Sequence, residues 1–228
     1  MKEHSKIWYL ENFNFFSELT DKQRSFICKN TVMKTIGKDE TVYFQSSPAN
    51  SVYFLKKGKI KISHFSPEGK EFLISILEPG EIFGESFLNP SNFRKDAAIA
   101  EEEATFCVMS SSNMKKLLLM VPELNLKFAR LIESRLEKLQ KRLEDVSLKS
   151  NRERILEFLK ESALPMAERF GKELIINNNL THDKIAQLTS TNRQEVSSVF
   201  SSLKKEGIID YDRKEIHVKD LERLLQLT

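Results

Sequence analysis

Residues 122–147 constrain the fold most, because no glycine or proline interrupts the chain after Pro122. Proline suits the first turn of a helix, where its missing N–H is not needed. Beyond it, apolar residues recur in steps of three and four, close to a heptad repeat, and charged residues fill most other positions. The row consists of Phe128, Ile132, Leu136, Leu139, Leu143 and Val146. This pattern predicts one long helix between two differently built halves of the chain.

The apolar row of this helix has two interpretations. Because the row extends past the length that one small domain needs to cover, it favours pairing with a second copy of the helix. Parallel pairing would give a two-fold homodimer with the six residues of the row as its interface. The alternative is an ordinary amphipathic helix that packs its apolar face on its own domain.

The chain before this helix is rich in short β-branched and aromatic runs. Over residues 31–109 these runs alternate with turn signals, and Gly58, Gly69, Gly80 and Gly84 punctuate them at roughly even spacing. The stretch "SPEGKE" predicts a hairpin turn between "KIKISHF" and "FLISIL". Many short strands joined by tight turns predict a small roll, a double-stranded β-helix of the jelly-roll type. The preceding residues 7–30 look helical.

The chain after the long helix has the order helix, strand, helix, tight turn, helix and hairpin, which predicts a winged helix-turn-helix. Its paired helices lie in "LTHDKIAQLT" and "STNRQEVSSVFSSLKKEG", with Thr181 and Asn192 as N-caps. Gly207 follows the second helix, where glycine readily adopts the left-handed conformation that ends a helix. We therefore predict an α+β chain with a roll domain at 1–120, a dimerisation helix and linker at 121–149, and a DNA-binding domain at 150–228.

The second of the paired helices carries the candidate DNA contacts, because that helix lies in the major groove in a helix-turn-helix. With Val196, Val199 and Phe200 turned to the core, the exposed side holds Arg193, Gln194, Ser197 and Ser198. Arginine can pair with guanine and glutamine with adenine, each good contact discriminating by about 1–3 kcal/mol. Four further residues are suited to phosphates, which position the helix without reporting sequence: Thr181, His182, Thr191 and Lys204.

The bulk composition excludes several classes of protein. The net charge of +3 over 228 residues is too small to produce a broad positive potential. Residues 146–228 hold 14 basic and 13 acidic side chains, so any contact with nucleic acid must be local. No apolar run approaches a membrane span, and the start "MKEHSKIWYL" lacks the apolar stretch of a signal peptide, so we expect a cytoplasmic protein with no membrane partner. Cys28 and Cys107 form no ligand cluster. The four histidines are scattered, and no nucleophile–base pair or metal spacing indicates an enzyme or a metal site.

The order of these parts resembles the Crp/Fnr family. The stretch "YFLKKGKIKISHFSPEGKEFLISILEPGEIFGE" is similar to the family's roll, and "LTHDKIAQLTSTNRQEVSSVFSSLKKEGII" is similar to its DNA-binding motif. The resemblance covers nearly the whole chain. It implies a homodimeric transcription regulator that binds a palindromic site on double-stranded DNA, contacts RNA polymerase and responds to a small effector in the roll.

The resemblance also places an effector pocket, with departures that argue against cyclic AMP. Family members that bind it carry Gly-Glu for the ribose, present here as Gly84-Glu85, and then Arg-Ser for the phosphate. That second position falls on Lys95-Asp96 or Asp96-Ala97, and a carboxylate at Asp96 would repel a phosphate. Arg94 and Lys95 could still supply positive charge. The candidate pocket comprises Ile62, Ser75, Leu77, Gly84, Glu85, Lys95, Asp96, Ala97, Leu139 and Gln140.

Other effectors known in the family find little support in the residues. An iron–sulfur centre needs an N-terminal cysteine cluster, which Cys28 and Cys107 cannot supply. Haem needs an axial ligand, and His64 continues the face of Ile60 and Ile62, so we expect it to point inward as a satisfied or solvent-edge histidine. A small apolar or weakly acidic metabolite stays open, as does a roll that binds nothing.

The recognition helix departs from the family pattern as well. Members often place Arg-Glu near its start and an Arg four residues after the Glu; here the positions hold Arg193-Gln194 and Ser198. The usual half-site is therefore not expected unchanged, since glutamine suits adenine better than cytosine. Two rival functions stay open: a ligand-independent DNA-binding regulator with a vestigial roll, and a regulatory subunit that controls a partner enzyme through the roll.

Overall fold

The computed structural model describes residues 14–16, 18–88, 91–164, 167–170, 173–177, 181–212 and 215–227. The chain separates into two compact units, Met1–Ser134 and Arg135–Thr228, so that the long helix is divided between them. Of the helix predicted over residues 7–30, the part up to residue 13 lies outside the described residues. The remainder is a 3-10 turn at Asn14–Phe16 and a helix at Asp21–Lys29, which we label α1. No helix among the described residues is long and apolar enough to cross a membrane.

The first unit is the predicted roll, built from two antiparallel four-stranded sheets. One sheet has the strand order β1-β8-β3-β6 and the other β2-β7-β4-β5. The strands are β1 (Thr31–Ile36), β2 (Thr41–Tyr43), β3 (Ser51–Lys57), β4 (Ile60–Phe65), β5 (Glu71–Leu77), β6 (Ile82–Phe83), β7 (Ala97–Ala100) and β8 (Ala104–Ser110). Two helices follow, α2 (Ser111–Met120) and the start of α3 (Glu123–Leu148). The hairpin predicted at "SPEGKE" joins β4 to β5, with Gly69 at φ 80°.

The two faces of the first sheet bury different sets of residues. One face packs against the helices through a cluster that includes Phe16, Ile27, Met109, Leu117 and Phe128. The interior between the sheets is aromatic, with the rings of Tyr53 and Phe83 stacked at 4.9 Å between centroids. The other members of this second cluster include Tyr43, Leu55, Ile60, Ile62, Leu77 and Phe106. Burial of these apolar side chains is the main force that holds the roll together.

A β-bulge in β4 corrects the expected orientation of His64. The pairing of β4 with β5 shifts between Ile62 and Ser63, so the alternation of inward and outward side chains is broken there. Ser63 is fully buried, and its hydroxyl donates to the Glu71 carboxylate at 2.7 Å. His64 is exposed instead, with Nδ1 3.1 Å from the backbone oxygen of Lys95. His64 therefore does not point inward, whereas the expectation of a solvent-edge histidine is confirmed.

The second unit is the predicted winged helix-turn-helix together with the C-terminal half of α3. Its elements are α4 (Asn151–Phe158), a π-helical turn (Leu159–Ala163), β9 (Glu168–Phe170), β10 (Glu173–Asn177), α5 (His182–Leu188), α6 (Arg193–Lys205), β11 (Ile209–Tyr211), β12 (Glu215–Val218) and α7 (Leu221–Gln226). The strands form one antiparallel sheet in the order β11-β12-β10-β9, of which β9 was not predicted. Residues from α4, α5, α6 and the sheet share one core, in which Ile155, Ile185, Val196 and Leu203 are fully buried.

The apolar row of α3 divides into one buried residue and five exposed ones. Phe128 is only 4% exposed and lies against the ring of Phe87, with 6.1 Å between centroids, so it belongs to the core of the first unit. Its assignment to a dimer interface is corrected accordingly, because its own domain already covers it. The others are Ile132 (39% exposed), Leu136 (53%), Leu139 (50%), Leu143 (69%) and Val146 (44%).

Candidate nucleic-acid interface

The recognition helix α6 is fixed at both ends by local hydrogen bonds. The Asn192 side chain accepts a hydrogen bond from the backbone N–H of Glu195 at 2.9 Å, as an N-cap does. At the other end Gly207 has φ 70°, and its N–H donates to the Lys204 carbonyl while that of Ile208 donates to Leu203. This is the Schellman pattern that ends a helix without unpaired carbonyls. The bounds of α6 follow directly from these caps.

The rotation of α6 about its axis is set by its buried face. Val196, Val199, Phe200 and Leu203 are all buried in the core of the second unit. Arg193, Gln194 and Ser198 are consequently exposed, while Ser197 is half-buried. The Arg193 guanidinium lies 3.3 Å from the Asp183 carboxylate of α5, and both side chains stay largely exposed. An exposed pair of this kind holds the arginine loosely and leaves its other N–H groups available.

The residues predicted to contact phosphates lie around the start of α5 and the ends of α6. Thr181 is exposed and caps α5 by accepting from the N–H of Lys184 at 3.3 Å. The hydroxyl oxygens of Thr191 and Thr189 are 3.0 Å apart. Lys204 is exposed at the C-terminal end of α6, where it forms an ion pair with Asp210. All three keep a hydroxyl or ammonium group that can donate to a phosphate oxygen.

His182 has a more structural environment than the other predicted phosphate contacts. Its ring is half-buried, with centroids 5.0 Å from Phe200 and 5.5 Å from Tyr211. Burial lowers the pKa of His182, and the nearby Arg193 guanidinium lowers it further. The imidazole is therefore neutral near pH 7 and can offer DNA a hydrogen bond but no charge.

Two arginines outside the helix-turn-helix contact the turn between α5 and α6, and sequence patterns did not single them out. Arg142 of α3 donates to the Gln187 carbonyl at 2.6 Å and to the Ser190 hydroxyl at 3.0 Å. Arg154 of α4 donates to the carbonyl of Thr189 at 2.9 Å and to that of Ser190 at 3.0 Å. Their partners are mostly backbone carbonyls, which leave no signal in a sequence.

The side chain of Arg94, which precedes the predicted pocket residues Lys95 and Asp96, lies inside the roll. Arg94 is 3% exposed, and its guanidinium donates to the carbonyls of Gly84 at 2.7 Å and Ser51 at 2.5 Å. It also lies over the ring of Tyr43, 4.3 Å from the centroid, and 5.6 Å from that of Tyr53. Arg94 thus points into the roll and is bound to its backbone, while Lys95 is exposed.

Gly84 is explained by this arrangement. It has φ 82°, and a Cβ added there would lie 2.8 Å from the Tyr53 ring and 2.9 Å from the Arg94 guanidinium. Its neighbour Glu85 starts a 3-10 turn, Glu85–Leu88. Gly84 is therefore required by the packing of Tyr53 and Arg94 against the backbone.

The other residues of the predicted pocket lie partly in the core and partly on the surface. Asp96 accepts a hydrogen bond from the Tyr43 hydroxyl at 3.1 Å, and burial together with this carboxylate raises the pKa of Tyr43. Ile62, Leu77 and Ala97 are buried, whereas Ser75 and Glu85 are half-buried. Leu139 and Gln140 are exposed residues of the second unit.

Comparison with known proteins defines the class of this chain. A family model described as the cyclic nucleotide-binding domain matches residues 33–120, and one described as the Crp-like helix-turn-helix domain matches residues 153–227. The fold and the exposed recognition helix agree with both matches. The protein is a DNA-binding transcription regulator with an N-terminal roll of the cyclic nucleotide-binding type.

Its relatives narrow the class to a family. The chain is 27% identical over 191 residues to a CRP-like cAMP-activated global transcriptional regulator of Mycobacterium tuberculosis, covering 82% of this chain and 84% of the relative. It is 28% identical over 195 residues to the transcriptional regulator LdrP of Thermus thermophilus, covering 84% and 94%. In fold it matches a CooA mutant of Carboxydothermus hydrogenoformans with a TM-score of 0.74 at 24% identity, covering 96% and 94%. The chain belongs to the Crp/Fnr family of transcription regulators.

Proposed function

We propose that this regulator acts as a homodimer that places two copies of α6 in adjacent major grooves of a palindromic site. The observation that carries the proposal is the exposure of Arg193, Gln194 and Ser198 at the N-terminal end of a helix whose opposite face is buried. In a helix-turn-helix these N-terminal positions face the base edges. We assign guanine contact to Arg193 and adenine contact to Gln194.

The exposed row on α3 supports pairing of two chains. Five apolar side chains from Ile132 to Val146 are each at least 39% exposed at heptad-like spacing. A contiguous apolar stripe of this kind marks an interaction surface, and parallel pairing covers it with its own copy. A two-fold axis along α3 would relate two recognition helices, which bind when they lie one turn of DNA apart, about 34 Å.

The partners beyond DNA follow from the family. We infer that the protein acts in the cytoplasm and that it contacts RNA polymerase in addition to DNA. No enzymatic role is proposed. The alternative function is that of a regulatory subunit that controls a partner enzyme. In that case the exposed side chains of α6 would have no role in binding DNA.

The roll supports a second candidate for how the regulator is controlled. Arg94 lies in the interior of the roll against the rings of Tyr43 and Tyr53, and the Asp96 carboxylate bound to Tyr43 would repel a phosphate. We therefore propose that cyclic AMP is not the effector and that the roll functions without a ligand. The competing possibility is a small apolar or weakly acidic metabolite that displaces Arg94.

A selection of random duplex DNA on the purified protein, at one salt concentration and without added ligand, tests this proposal. We expect a palindromic motif. Arg193→Ala should lose the preference at one symmetric pair of base pairs, a loss of about 1–3 kcal/mol in discrimination. Lys205→Ala, which removes the same charge from the exposed end of α6, is the matched control and should weaken binding evenly across sequences.

Each outcome of the selection separates the candidates. An unchanged motif with Arg193→Ala would contradict the assigned base contact. Enrichment that appears only after a metabolite is added would refute the ligand-independent candidate. A wild-type protein that enriches no DNA under any condition would favour the control-subunit function.

A further inference from the structure

Two half-buried arginines outside the helix-turn-helix, Arg142 and Arg154, donate hydrogen bonds to its turn. Residues 189–192 join α5 to α6, and Ser190 has φ 52°, a left-handed conformation uncommon for a residue other than glycine. The carbonyls at the end of α5 have no partners within that helix. Arg142 and Arg154 supply donors to three of the carbonyls in this region, those of Gln187, Thr189 and Ser190.

Arg142 connects this turn to the helix that carries the exposed apolar row. It is half-buried on α3, beside Leu139 and Leu143, and burial lowers its pKa without discharging the guanidinium. Its Nη2 donates to the Gln187 carbonyl and its Nε to the Ser190 hydroxyl. One side chain of α3 thus reaches both the end of α5 and the turn that starts α6.

Arg154 also connects the turn to the end of α3 and the start of α4. Besides the turn, it donates to the Lys149 carbonyl at 2.7 Å and to the Asn151 side chain at 2.7 Å. Lys149 in turn forms ion pairs with Asp145 of α3 at 2.8 Å and Glu157 of α4 at 2.5 Å. These hydrogen bonds link α3, α4 and the turn into one body within the second unit.

We propose that Arg142 is a positioning residue that sets the orientation of α6 relative to the dimer-forming face of α3. The proposal rests on the proposed function, a homodimer on paired half-sites. Arg193 and Gln194 follow the turn within a few residues, so a change in the turn swings them directly. Arg142 acts through the turn and makes no contact with DNA. Its effect is on the separation and direction of the two recognition helices rather than on which bases they contact.

The test compares Arg142→Ala with wild type on three duplexes. These are the operator found by selection, the same half-sites moved apart or together by one base pair, and a single half-site. We expect Arg142→Ala to bind the operator about 5- to 150-fold more weakly, the usual range for coupling between sites. The preference for the native spacing should shrink, while half-site affinity and the dimer in analytical ultracentrifugation stay as in wild type.

Two further variants keep the test decisive. Lys138→Ala removes the same charge one helical turn earlier on α3, where the side chain is exposed, and it should leave the spacing preference intact. Ser190→Gly retains the left-handed turn but removes the hydroxyl that Arg142 contacts, so it should lose part of the spacing preference even if Arg142→Ala does not fold.

Hydrogen exchange separates failure of this proposal from failure of the proposed function. Amides of residues 187–191 should exchange faster in Arg142→Ala than in Lys138→Ala, whether or not DNA is present. Wild-type spacing preference in both Arg142→Ala and Ser190→Gly would overturn the positioning role. A wild-type protein with no preference for paired half-sites would overturn the proposed function, and the role of Arg142 with it.

Discussion

Replacing Arg94 with alanine tests whether the roll is filled by its own side chain. The substitution removes the donors to the Gly84 and Ser51 carbonyls and opens a space beside Tyr43 and Tyr53. If Arg94 holds the roll in its functional form, the variant should lose stability and also bind DNA more weakly. If the roll takes a ligand there, removal of Arg94 should instead leave the DNA-binding form unaffected.

The magnitude follows from the contacts of the guanidinium. Two carbonyls, that of Gly84 buried and that of Ser51 half-buried, would lose their donors, at about 1–3 kcal/mol each. A desolvated cation–π contact is worth about 2 kcal/mol. Desolvation of the charge acts in the opposite direction, and among the described residues the buried Arg94 Nε has no hydrogen-bond partner. We therefore expect a net loss of about 3–5 kcal/mol, smaller than the sum of these contributions, about 4–8 kcal/mol.

The assay is urea unfolding followed by circular dichroism, with Arg94→Met as the matched control. Methionine fills much of the volume but donates no hydrogen bond, so it separates packing from donor loss and should cost about 2 kcal/mol. Ethylguanidinium at low millimolar concentration should restore part of the stability and DNA affinity of Arg94→Ala, because it binds the folded state in the vacated space. Wild type, whose site is filled, should not respond.

Three results would contradict the role that we assign to Arg94. Unfolding midpoints of Arg94→Ala and Arg94→Met equal to that of wild type would show that the guanidinium contributes no net stability. A loss of stability without any loss of DNA affinity would show that Arg94 is structural only. Restoration by ethylguanidinium in wild type as well as in the variant would mean that the ion acts elsewhere.

Two further predictions concern the dimer and the pH dependence of stability. Leu139→Glu places a charge in the middle of the exposed row and should yield monomers in analytical ultracentrifugation, whereas Gln140→Glu should remain dimeric. A Leu139→Glu variant that stays dimeric would contradict pairing through this row. Burial lowers the pKa of His182 in the folded state. Below about pH 6.5, the usual pKa of histidine, the unfolded state therefore binds the proton more readily. The free energy of unfolding then falls as the pH falls. His182→Gln should lose this part of the pH dependence in urea unfolding between pH 7.5 and 5.5, and identical profiles would disprove the effect of burial.

The large features of the fold were predictable because they repeat along the chain. Helix α3 follows from its uninterrupted apolar row, and α6 follows from Asn192, Gly207 and four apolar residues at helical spacing. Such signals depend on neighbours in sequence, where the period of the backbone fixes which side chains share a face. The exposed positions Arg193 and Gln194 follow from the same period.

The features that sequence missed depend on contacts between distant segments. The bulge after Ile62 turns His64 outward, although the alternation of residues predicts the opposite. Phe128 fits the heptad row but meets Phe87, a ring from another part of the chain. Neither the bulge nor the ring contact leaves a periodic signal, because each is decided by the partner strand or the opposing side chain.

Three arginines show why charge alone is a poor guide to function in this chain. Arg94, Arg142 and Arg154 count as surface charge in a composition, yet each donates hydrogen bonds to backbone carbonyls within its own unit. Arg193 and Lys204, which remain at the recognition helix, also face carboxylates at Asp183 and Asp210. Residues 146–228 hold 14 basic and 13 acidic side chains, a net charge of only +1, and phosphate contacts supply much of the affinity of most DNA-binding proteins. One copy of the chain should therefore bind a half-site weakly, and the pairing through α3 that we propose would double the contacts with DNA.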